Sequence, residues 1–192
     1  RGAGEILAEE VDDPALHRFT DNVIHESIRL SDLLDKLLAM ARLEKLESLP
    51  AHKSAVSISA LVQEWQHSRY ALLAEKQLDI TVNEGALQAE ADTFRLALFN
   101  LLDNALRFAN ENTTITVHVD VACLTVTNTG PVIPDYALGR ITERFYSLPS
   151  PGQERSSGLG LAMVSEIASL HGGSLNVENT HQGVQARLIL PE

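Results

Sequence analysis

A polar stripe on an otherwise apolar helix constrains this chain more than any other feature. The segment FNLLDNALRFAN, residues 99–110, has helical periodicity. Its apolar face recurs at steps of three and four residues and comprises Leu98, Leu102, Ala105 and Leu106. A second face carries Asn100, Asn104 and Arg107. One asparagine would indicate a solvated face, but buried amides are costly unless paired. Because amide oxygens suit Mg²⁺ and guanidinium suits phosphate, the three together predict a site for a metal and a polyanion.

The composition restricts the classes of partner. The 192 residues suffice for one domain with an appendage or for two small domains. The net charge of −11 disfavours duplex nucleic acid, so no nucleic-acid partner is expected. The single cysteine, Cys123, lies in a strand-like run and is interpreted as a core residue. No signal peptide is expected, and these residues contain no run of about 18 apolar residues. Because the chain starts at Arg1 without a methionine, we expect a fragment of a longer protein.

The first part of the chain is predicted to be helical. Residues 1–10 are expected to end one helix, and a turn follows in which Asp13 caps the next and Pro14 opens it. A long helix is predicted from 15 to about 46, with a wide apolar stripe along one side. This stripe favours a helical hairpin that pairs with a second copy in a four-helix bundle. The alternative is an ordinary core helix of a monomer.

The remainder predicts an α+β domain, with helices on one face of a mixed sheet. After a linker at 47–53, the predicted helices span 59–77, 92–110 and 158–173, with Ser59 and Asp92 as the first two N-caps. Leu61, Val62, Trp65, Leu72 and Leu73 are the expected buried side of the first. The predicted strands are 54–58, 78–83, 87–91, 113–120, 122–129, 174–179 and 184–190. Residues 130–157 form a long irregular stretch that is typical of a functional lid.

Three further stretches fit the polar helix. VTNTGPVIPD contains Gly130, where the backbone can approach a flat ligand closely. ERFYSLP places Arg144 and Tyr146 on the lid. SSGLGLAMV opens a helix on Gly158 and Gly160, whose backbone amides and helix dipole would receive phosphate. A lone GLG predicts only a tight turn, so the order and spacing of all four stretches carry the interpretation.

This order resembles the catalytic and ATP-binding domain of sensor histidine kinases, with the Bergerat (GHKL) fold shared by gyrase, Hsp90 and MutL proteins. FNLLDNALRFA resembles the N box, TNTGPVIPD the G1 box, ITERFYSLP the F box and SSGLGLAMVSEIASLHGGSL the G2 box. RFTDNVIHESIRLSDLLDKLLAMARLE resembles the second helix of the dimerisation domain, and RGAGEIL the end of the first. DYALGRITERFYSLP and SSGLGLA are most similar to Cre-type sensor kinases of proteobacteria.

The resemblance implies an organisation of the chain. Residues 1–46 would be a partial dimerisation and phosphotransfer hairpin, 47–53 a linker, and 54–192 the catalytic domain, a Bergerat sandwich with about five strands in a mixed sheet. The phosphorylated histidine would lie on a helix upstream of RGAGEIL, outside this sequence. His25-Glu26 imitates the expected His-Glu pair, but no proline follows at the expected place, so His25 is interpreted as a helix-surface residue. His17, His52, His67, His118, His171 and His181 are interpreted as surface or strand residues.

The resemblance also implies site residues. Asn104 would ligate Mg²⁺, Asn100 would hold a phosphate or a metal-bound water, and Arg107 would face the phosphates. Phe108 would pack near the adenine, and Arg144 and Tyr146 would position the γ-phosphate or the lid. The full predicted nucleotide-binding set is Asn100, Asn104, Arg107, Phe108, Asn128, Gly130, Ile133, Arg144, Tyr146, Ser157, Gly158, Leu159 and Gly160.

Three departures from the family pattern affect the base side and the lid. Asn128 stands where the family has the aspartate that accepts a hydrogen bond from the adenine amino group. An amide oxygen can accept the same bond, but a charged acceptor makes one roughly twice as strong. Val132 replaces the second G1 glycine, and Thr142 replaces the first phenylalanine of the F box.

The implied function is that of a fragment of a two-component sensor histidine kinase. It would use ATP and Mg²⁺ as a transferase, with a response regulator receiver domain as the onward partner. It would form a homodimer through residues 1–46, and would be the cytoplasmic domain of a parent held in the bacterial inner membrane by its missing N-terminal part. Without the acceptor histidine, the fragment is not expected to autophosphorylate. Two alternatives are a degenerate nucleotide-binding signalling module without kinase activity, and another Bergerat-fold ATPase or serine kinase. The long second-helix stripe disfavours the last, since those proteins lack the hairpin.

Overall fold

The computed structural model describes residues 14–46, 53–83, 85, 87–148 and 156–191. The predicted helix end at 1–10, the capping role of Asp13 and most of the linker at 47–53 lie outside the described residues. The chain divides into two compact units, Arg1–Arg42 and Leu43–Glu192. The assignment of 1–46 to dimerisation, 47–53 to a linker and 54–192 to catalysis stays a prediction.

One long helix, α1 (Pro14–Glu44), dominates the first unit. Pro14 is its first described residue, and the missing N–H of proline costs nothing at the first position of a helix. The apolar stripe along this helix is exposed, with Phe19 and Leu30 retaining 64% and 62% of their accessible surface. The other large exposed apolar side chains of the stripe are Leu16, Val23, Ile28, Leu34, Leu37 and Leu38.

The second unit is an α+β domain. Its helices are α2 (Ile58–Ser68), α3 (Tyr70–Lys76), α4 (Ala91–Phe108), α5 (Asp135–Leu138) and α6 (Gly160–Leu170). Its strands are β1 (Ser54–Val56), β2 (Asp79–Asn83), β3 (Leu87–Ala89), β4 (Thr114–Asp120), β5 (Cys123–Thr129), β6 (Ser174–Asn179) and β7 (Gly183–Ile189). Five strands form one sheet in the order β2-β4-β5-β7-β6. The β2–β4 pair is parallel and the other pairs are antiparallel, so the predicted mixed five-stranded sheet is confirmed.

Helices cover one face of this sheet, as predicted. Along β4 the side chains alternate, and Ile115, Val117 and Val119 are buried between exposed neighbours. Helices α4 and α6 pack against each other and against the sheet. The apolar face of α4 that the sequence predicted is buried: Leu98, Leu102, Ala105 and Leu106. The core therefore holds the helix that carries the polar stripe.

The structure corrects three local predictions around α2 and α3. Ser57, and not Ser59, caps α2, because its Oγ accepts a hydrogen bond from the Ala60 N–H at 3.3 Å. The predicted continuous helix is broken at Arg69, where the backbone leaves helical geometry between α2 and α3. Leu72, predicted to be buried, is half exposed on α3.

Among the described strands, the short strand β1 pairs with β3 in a separate two-stranded sheet.

The start of α4 was also predicted incorrectly by two residues. Glu90 is the N-cap, and its carboxylate accepts hydrogen bonds from the N–H groups of Asp92 and Thr93. Asp92 therefore lies inside the first turn, where an acidic residue is favourable to the helix dipole. Cys123 lies half buried at the start of β5. Within the described ranges, no helix is both long and apolar enough to cross a bilayer.

Candidate functional site

Asn100, the first amide on the polar face of α4, is held by a hydrogen bond within the helix. The Asn100 side chain is buried, and its Nδ2 donates to the carbonyl of Leu96 at 2.8 Å. The same nitrogen contacts the Sδ of Met163 on α6 at 3.6 Å. The acceptor Oδ1 lies near the start of α6, 3.2 Å from the place that a Cβ on Gly160 would take.

Two other predicted amides carry a buried donor with no partner. Asn104 Nδ2 and Asn128 Nδ2 are inaccessible and make no hydrogen bond within the part of the chain that the structure describes. Asn128 as a whole is only 7% exposed. Leaving such a donor unpaired costs about 1–3 kcal/mol. These two positions are therefore suited to polar groups that the chain itself does not supply.

Helix α6 begins directly against the polar face of α4. A Cβ on Gly160 would lie 3.2 Å from Asn100 Oδ1 and 3.5 Å from Asn104 Nδ2. Leu159 occupies the N-cap position of α6, and its apolar side chain accepts no hydrogen bond from the first N–H groups of the helix. The first backbone N–H groups of this helix have no intrahelical partners. An uncapped helix N-terminus beside two amides is suited to an anion.

The lid contacts the same loop through Gly158. This glycine has a φ of +67°, and a Cβ there would lie 2.5–2.7 Å from the backbone of Phe145 and Tyr146. The Phe145 N–H donates to the Gly158 carbonyl at 3.0 Å. A side chain at position 158 would both strain the backbone and separate the lid from the loop.

The G1-like stretch is joined to the end of α4 through Gly130. A Cβ at this position would overlap the Phe108 carbonyl oxygen, and it would lie 3.2 Å from Asn128 Nδ2. Further along, the Asn179 side chain holds Ile133 by two bonds, accepting from its N–H at 2.8 Å and donating to its carbonyl at 2.7 Å. Sequence reasoning missed Asn179, since a polar residue at a strand end has no distinctive pattern.

Through these glycines, the structure brings together the four stretches that the sequence singled out. Gly160 joins the G2-like loop to α4, Gly158 joins it to the lid, and Gly130 joins the G1-like stretch to the end of α4. The stretches are far apart in sequence, so this adjacency is a property of the tertiary fold.

The other predicted site residues lie on the lid, just before α6 and at the end of α4. Arg144 lies on the lid and forms an ion pair with Glu44, in the same unit. The Tyr146 ring stacks with Arg140, whose guanidinium carbon is 4.5 Å from the ring centroid. Leu159 has a fully buried side chain, so only its backbone could face a ligand. Arg107 lies over the half-buried Phe108 ring at 5.7 Å. Ser157 is half buried beside Gly158.

His171 was predicted as a surface or strand residue, and that prediction is wrong. It is 5% exposed at the end of α6, where its Nδ1 is 2.8 Å from the Ile167 carbonyl and its Nε2 accepts from the Glu90 N–H at 3.3 Å. Burial lowers the pKa of this imidazole, and the charge of Lys53 lowers it further, against smaller opposing contributions from the Ile167 carbonyl and Glu90. The helical spacing of Ile167, Ala168 and His171 was the available signal.

Comparison with known proteins identifies the family. Residues 89–192 match the family described as histidine kinase-, DNA gyrase B-, and HSP90-like ATPases. The chain is 43% identical over 189 residues to the sensor protein CreC of Escherichia coli strain K12, covering 95% of this chain and 40% of CreC. It is 33% identical over 185 residues to the sensor protein QseC of the same strain, covering 93% of this chain and 40% of QseC.

The fold is shared with solved histidine kinases. Full-length ShkA, whose crystal structure was determined in complex with AMPPNP, superimposes with a TM-score of 0.75 at 22% identity, covering 98% of this chain and 41% of ShkA. At that identity the likeness concerns the fold alone. In sequence, the chain spans less than half the length of CreC and of QseC. With the family match extending over residues 89–192 and the four stretches adjacent in the fold, the chain belongs to the histidine kinase-, DNA gyrase B- and HSP90-like ATPases and carries the ATPase domain of a sensor histidine kinase.

Proposed function

We propose that this chain binds Mg·ATP as the catalytic part of a two-component sensor histidine kinase. The observation that carries the proposal is the adjacency of the polar face of α4, the uncapped start of α6 and the Gly130 turn, with two buried amide donors unpaired in the described residues. The unpaired donors require acceptors, and phosphate oxygens and the ring nitrogens of a base are acceptors of the right kind. The ATP analogue in the ShkA crystal is consistent with this assignment.

Each residue has a proposed role in the site. Asn104 supplies an amide oxygen to Mg²⁺, Asn100 holds a phosphate or a metal-bound water, and Arg107 faces the phosphates. Within the described ranges, no three His, Cys, Asp or Glu residues cluster to hold a metal. A magnesium ion here would rely on an amide and on phosphate oxygens, which is the usual situation at nucleotide sites.

The base side and the lid complete the site. Phe108 and Ile133 pack near the adenine, Asn128 accepts from the adenine amino group, and Gly130 admits the base closely. Backbone groups at 157–160 cover the triphosphate. Mg·ATP would supply the phosphoryl group and the charge neutralisation that its transfer requires. The protein's contribution is to position the nucleotide, exclude water with the lid and provide hydrogen-bond donors.

The wider role follows from the relatives and is part of the same proposal. The phosphoryl group would pass to a histidine outside this chain and then to a receiver domain of a response regulator. The exposed stripe of α1 supports homodimerisation through residues 1–46. The domain would act in the cytoplasm, with the parent protein in the bacterial inner membrane. The chain by itself would not autophosphorylate.

Calorimetric titration of the chain with Mg·ATP tests the proposal. We expect saturable binding in the wild type and loss of its Mg²⁺ dependence in Asn104→Ala. Asn176→Ala, which removes an exposed amide on the edge strand β6, is the matched control and should bind normally. Absence of heat from folded wild-type protein at millimolar nucleotide would contradict the proposal.

A second candidate is a degenerate module that dimerises without kinase activity. The amide of Asn128 favours it, because the family pattern has a carboxylate there, and a charged acceptor makes a hydrogen bond about twice as strong. Restoring Asn128→Asp separates the two candidates. A gain from undetectable to measurable Mg·ATP binding would support degeneracy, whereas wild-type binding that is already saturable would support the first proposal.

A further inference from the structure

The C-terminal end of α4 lacks an ordinary helix cap. The C-cap residue, Ala109, is extended, with φ −66° and ψ 139°, and its N–H bonds the Ala105 carbonyl at 2.8 Å. Helices often end on a residue in the left-handed conformation, whose turn satisfies the last carbonyls. Here the chain leaves the helix without that turn, so the last carbonyls of α4 require donors from elsewhere.

Lys76, the last residue of α3, supplies those donors. Its Nζ donates to the carbonyls of Leu106 at 2.9 Å, Arg107 at 3.0 Å and Ala109 at 3.3 Å. An ammonium group has three hydrogens, so all of its donors are used. A positive charge at this end also complements the negative end of the helix dipole. Sequence reasoning missed this residue, because a lysine near a helix end is common on protein surfaces.

The carbonyls that Lys76 holds border the junction between the two halves of the candidate site. Between them, the Phe108 carbonyl lies against Gly130. The next residue along, Asn110, donates its N–H to the Thr129 carbonyl at 2.9 Å, which ties the end of α4 to the end of β5. Asn104 lies on the helical side of this junction, and Asn128 lies on the strand side.

Lys76 is held at its backbone as well as at its ammonium group. The Lys76 carbonyl accepts from the Asn112 N–H at 3.0 Å, so its backbone is tied to the loop after α4. Partial burial lowers the pKa of Lys76, as does the charge of Arg107, while Glu111 and Glu75 oppose the shift. The three carbonyls therefore hold a partly desolvated charge at a fixed place.

We propose that Lys76 is a positioning residue for nucleotide binding, acting through the last turn of α4. This inference rests on the proposed function, and it assigns Lys76 no contact with the nucleotide. Removing the ammonium would release the three carbonyls and allow the last turn, with Arg107 and the approach to Gly130, to shift.

The test compares Lys76→Met with a matched lysine variant, Lys53→Met. Lys53 directly precedes β1 and donates to one carbonyl, that of Pro191, at 2.9 Å. We expect Lys76→Met to weaken Mg·ATP binding about tenfold, as loss of a supporting partner of a binding site typically does. Lys53→Met should bind as the wild type does. Lys76→Arg, which returns a cation with several donors to the carbonyls, should recover most of the affinity.

Two readouts separate positioning from general destabilisation. Trp65 is the chain's single tryptophan and bonds Asp103 on α4, so its fluorescence reports whether this helix is packed normally. Affinities are compared only under conditions where this signal shows every variant folded. If Lys76→Met does not fold, Lys76→Gln replaces it, with the same expectations.

Four results would overturn the inference. Wild-type affinity in the folded Lys76→Met variant would show that the last turn holds without the ammonium. An equal loss in Lys53→Met, or no recovery in Lys76→Arg, would show that the effect is not specific to the three carbonyls. If the wild-type chain itself binds no Mg·ATP, the proposed function and this inference both fail, whereas the first three results reject the inference alone.

Discussion

At the scale of single residues, the candidate site depends on positions where a side chain is missing or incompletely paired. Gly160 leaves room for Asn100 and Asn104, and the latter has a buried donor that no described residue satisfies. Such positions are costly for folding alone, and proteins often keep them where a ligand binds. Substitutions at such positions should therefore change nucleotide affinity without an equal change in the free energy of unfolding.

Gly160→Ala should show this separation. The added methyl group would lie 3.2 Å from Asn100 Oδ1, tighter than nine in ten real Cβ contacts, so the Asn100 amide must move by a few tenths of an ångström. Alanine favours helix over glycine by about 1 kcal/mol, which offsets part of the strain. We expect Mg·ATP affinity to fall about tenfold, a size typical when the geometry of a site is displaced, with little change in the free energy of unfolding.

Gly139→Ala is the matched control for that substitution, because no atom lies within 4 Å of its added Cβ. Calorimetry and urea unfolding should give wild-type values for this variant. A Gly160→Ala protein with wild-type affinity would show that the start of α6 does not face the nucleotide.

His171 should give the domain a pH-dependent stability. Its folded pKa lies below the ordinary value of 6.5, because the buried imidazole is stabilised in its neutral form. As the pH falls below 6.5, the unfolded state binds the proton first, so the free energy of unfolding should decrease until the pH passes the folded pKa. Above pH 6.5 the contribution of the neutral His171 imidazole to the free energy of unfolding should be fully present.

Urea unfolding at a series of pH values, followed by Trp65 fluorescence, measures this contribution. His171→Gln should show a smaller decrease in stability between pH 7 and pH 5 than the wild type, since it has no proton to gain in that range. Identical pH profiles would assign the dependence to other groups. His181, which is exposed, provides the control variant His181→Gln.

At the scale of elements, α4 is held by neighbours that sequence reasoning did not assign to it. Asp103 on α4 accepts hydrogen bonds from Trp65 Nε1 at 2.9 Å and from Arg69 Nε at 3.1 Å. Trp65 is fully buried, whereas the ion pair between Arg69 and Asp103 is about a third exposed on both sides. Exposed ion pairs contribute little, so the indole hydrogen bond should dominate.

Asp103→Ala should therefore lower the free energy of unfolding by about 1–3 kcal/mol, because it leaves the buried indole N–H unpaired. Asp103→Asn keeps an oxygen acceptor for the indole and removes only the charge, so its loss should be the smaller of the two. Urea unfolding monitored by Trp65 fluorescence measures both. Equal losses would mean that the ion pair, and not the indole bond, holds α2 to α4.

At the scale of the whole molecule, the two units present different surfaces. The Leu43–Glu192 unit buries a sizeable apolar core, whereas α1 leaves a long row of apolar side chains exposed. A contiguous exposed apolar surface commonly marks an interaction site. Heptad-like stripes of this kind pair with other helices, which is the basis of the proposed homodimer.

Sedimentation analysis tests dimerisation directly. We expect a concentration-dependent dimer that the double substitution Phe19→Ser and Leu30→Ser shifts to monomer. Val121→Ser removes an apolar side chain of comparable exposure in the turn before β5, and should leave the dimer intact. Trp65 fluorescence should be unchanged in all of them. A wild-type chain that is monomeric at high concentration would reject a dimer of this chain.

Features that depend on neighbours along the chain could be predicted from the amino-acid sequence. Periodicity identified α1, α4 and the strands of the sheet, and proline and glycine identified where helices and turns begin. Helix limits failed where capping was decided by competition between adjacent polar residues, as with Ser57 and Ser59, or Glu90 and Asp92. Motif order indicated the family, because the four stretches keep their spacing.

Contacts between groups distant in sequence could not be predicted in this way, because they depend on packing. Three sets of contacts join elements that are distant in sequence. His171 is buried against Glu90, Asp103 accepts hydrogen bonds from Trp65 and Arg69, and Lys76 donates to the last carbonyls of α4. No local pattern encodes them. The polar stripe of α4 could be read from the sequence as a ligand site, since its residue types suit metal and phosphate. That Gly160 and Gly130 bring two other segments against this helix follows only from packing, because backbone approach depends on the space left by the whole core.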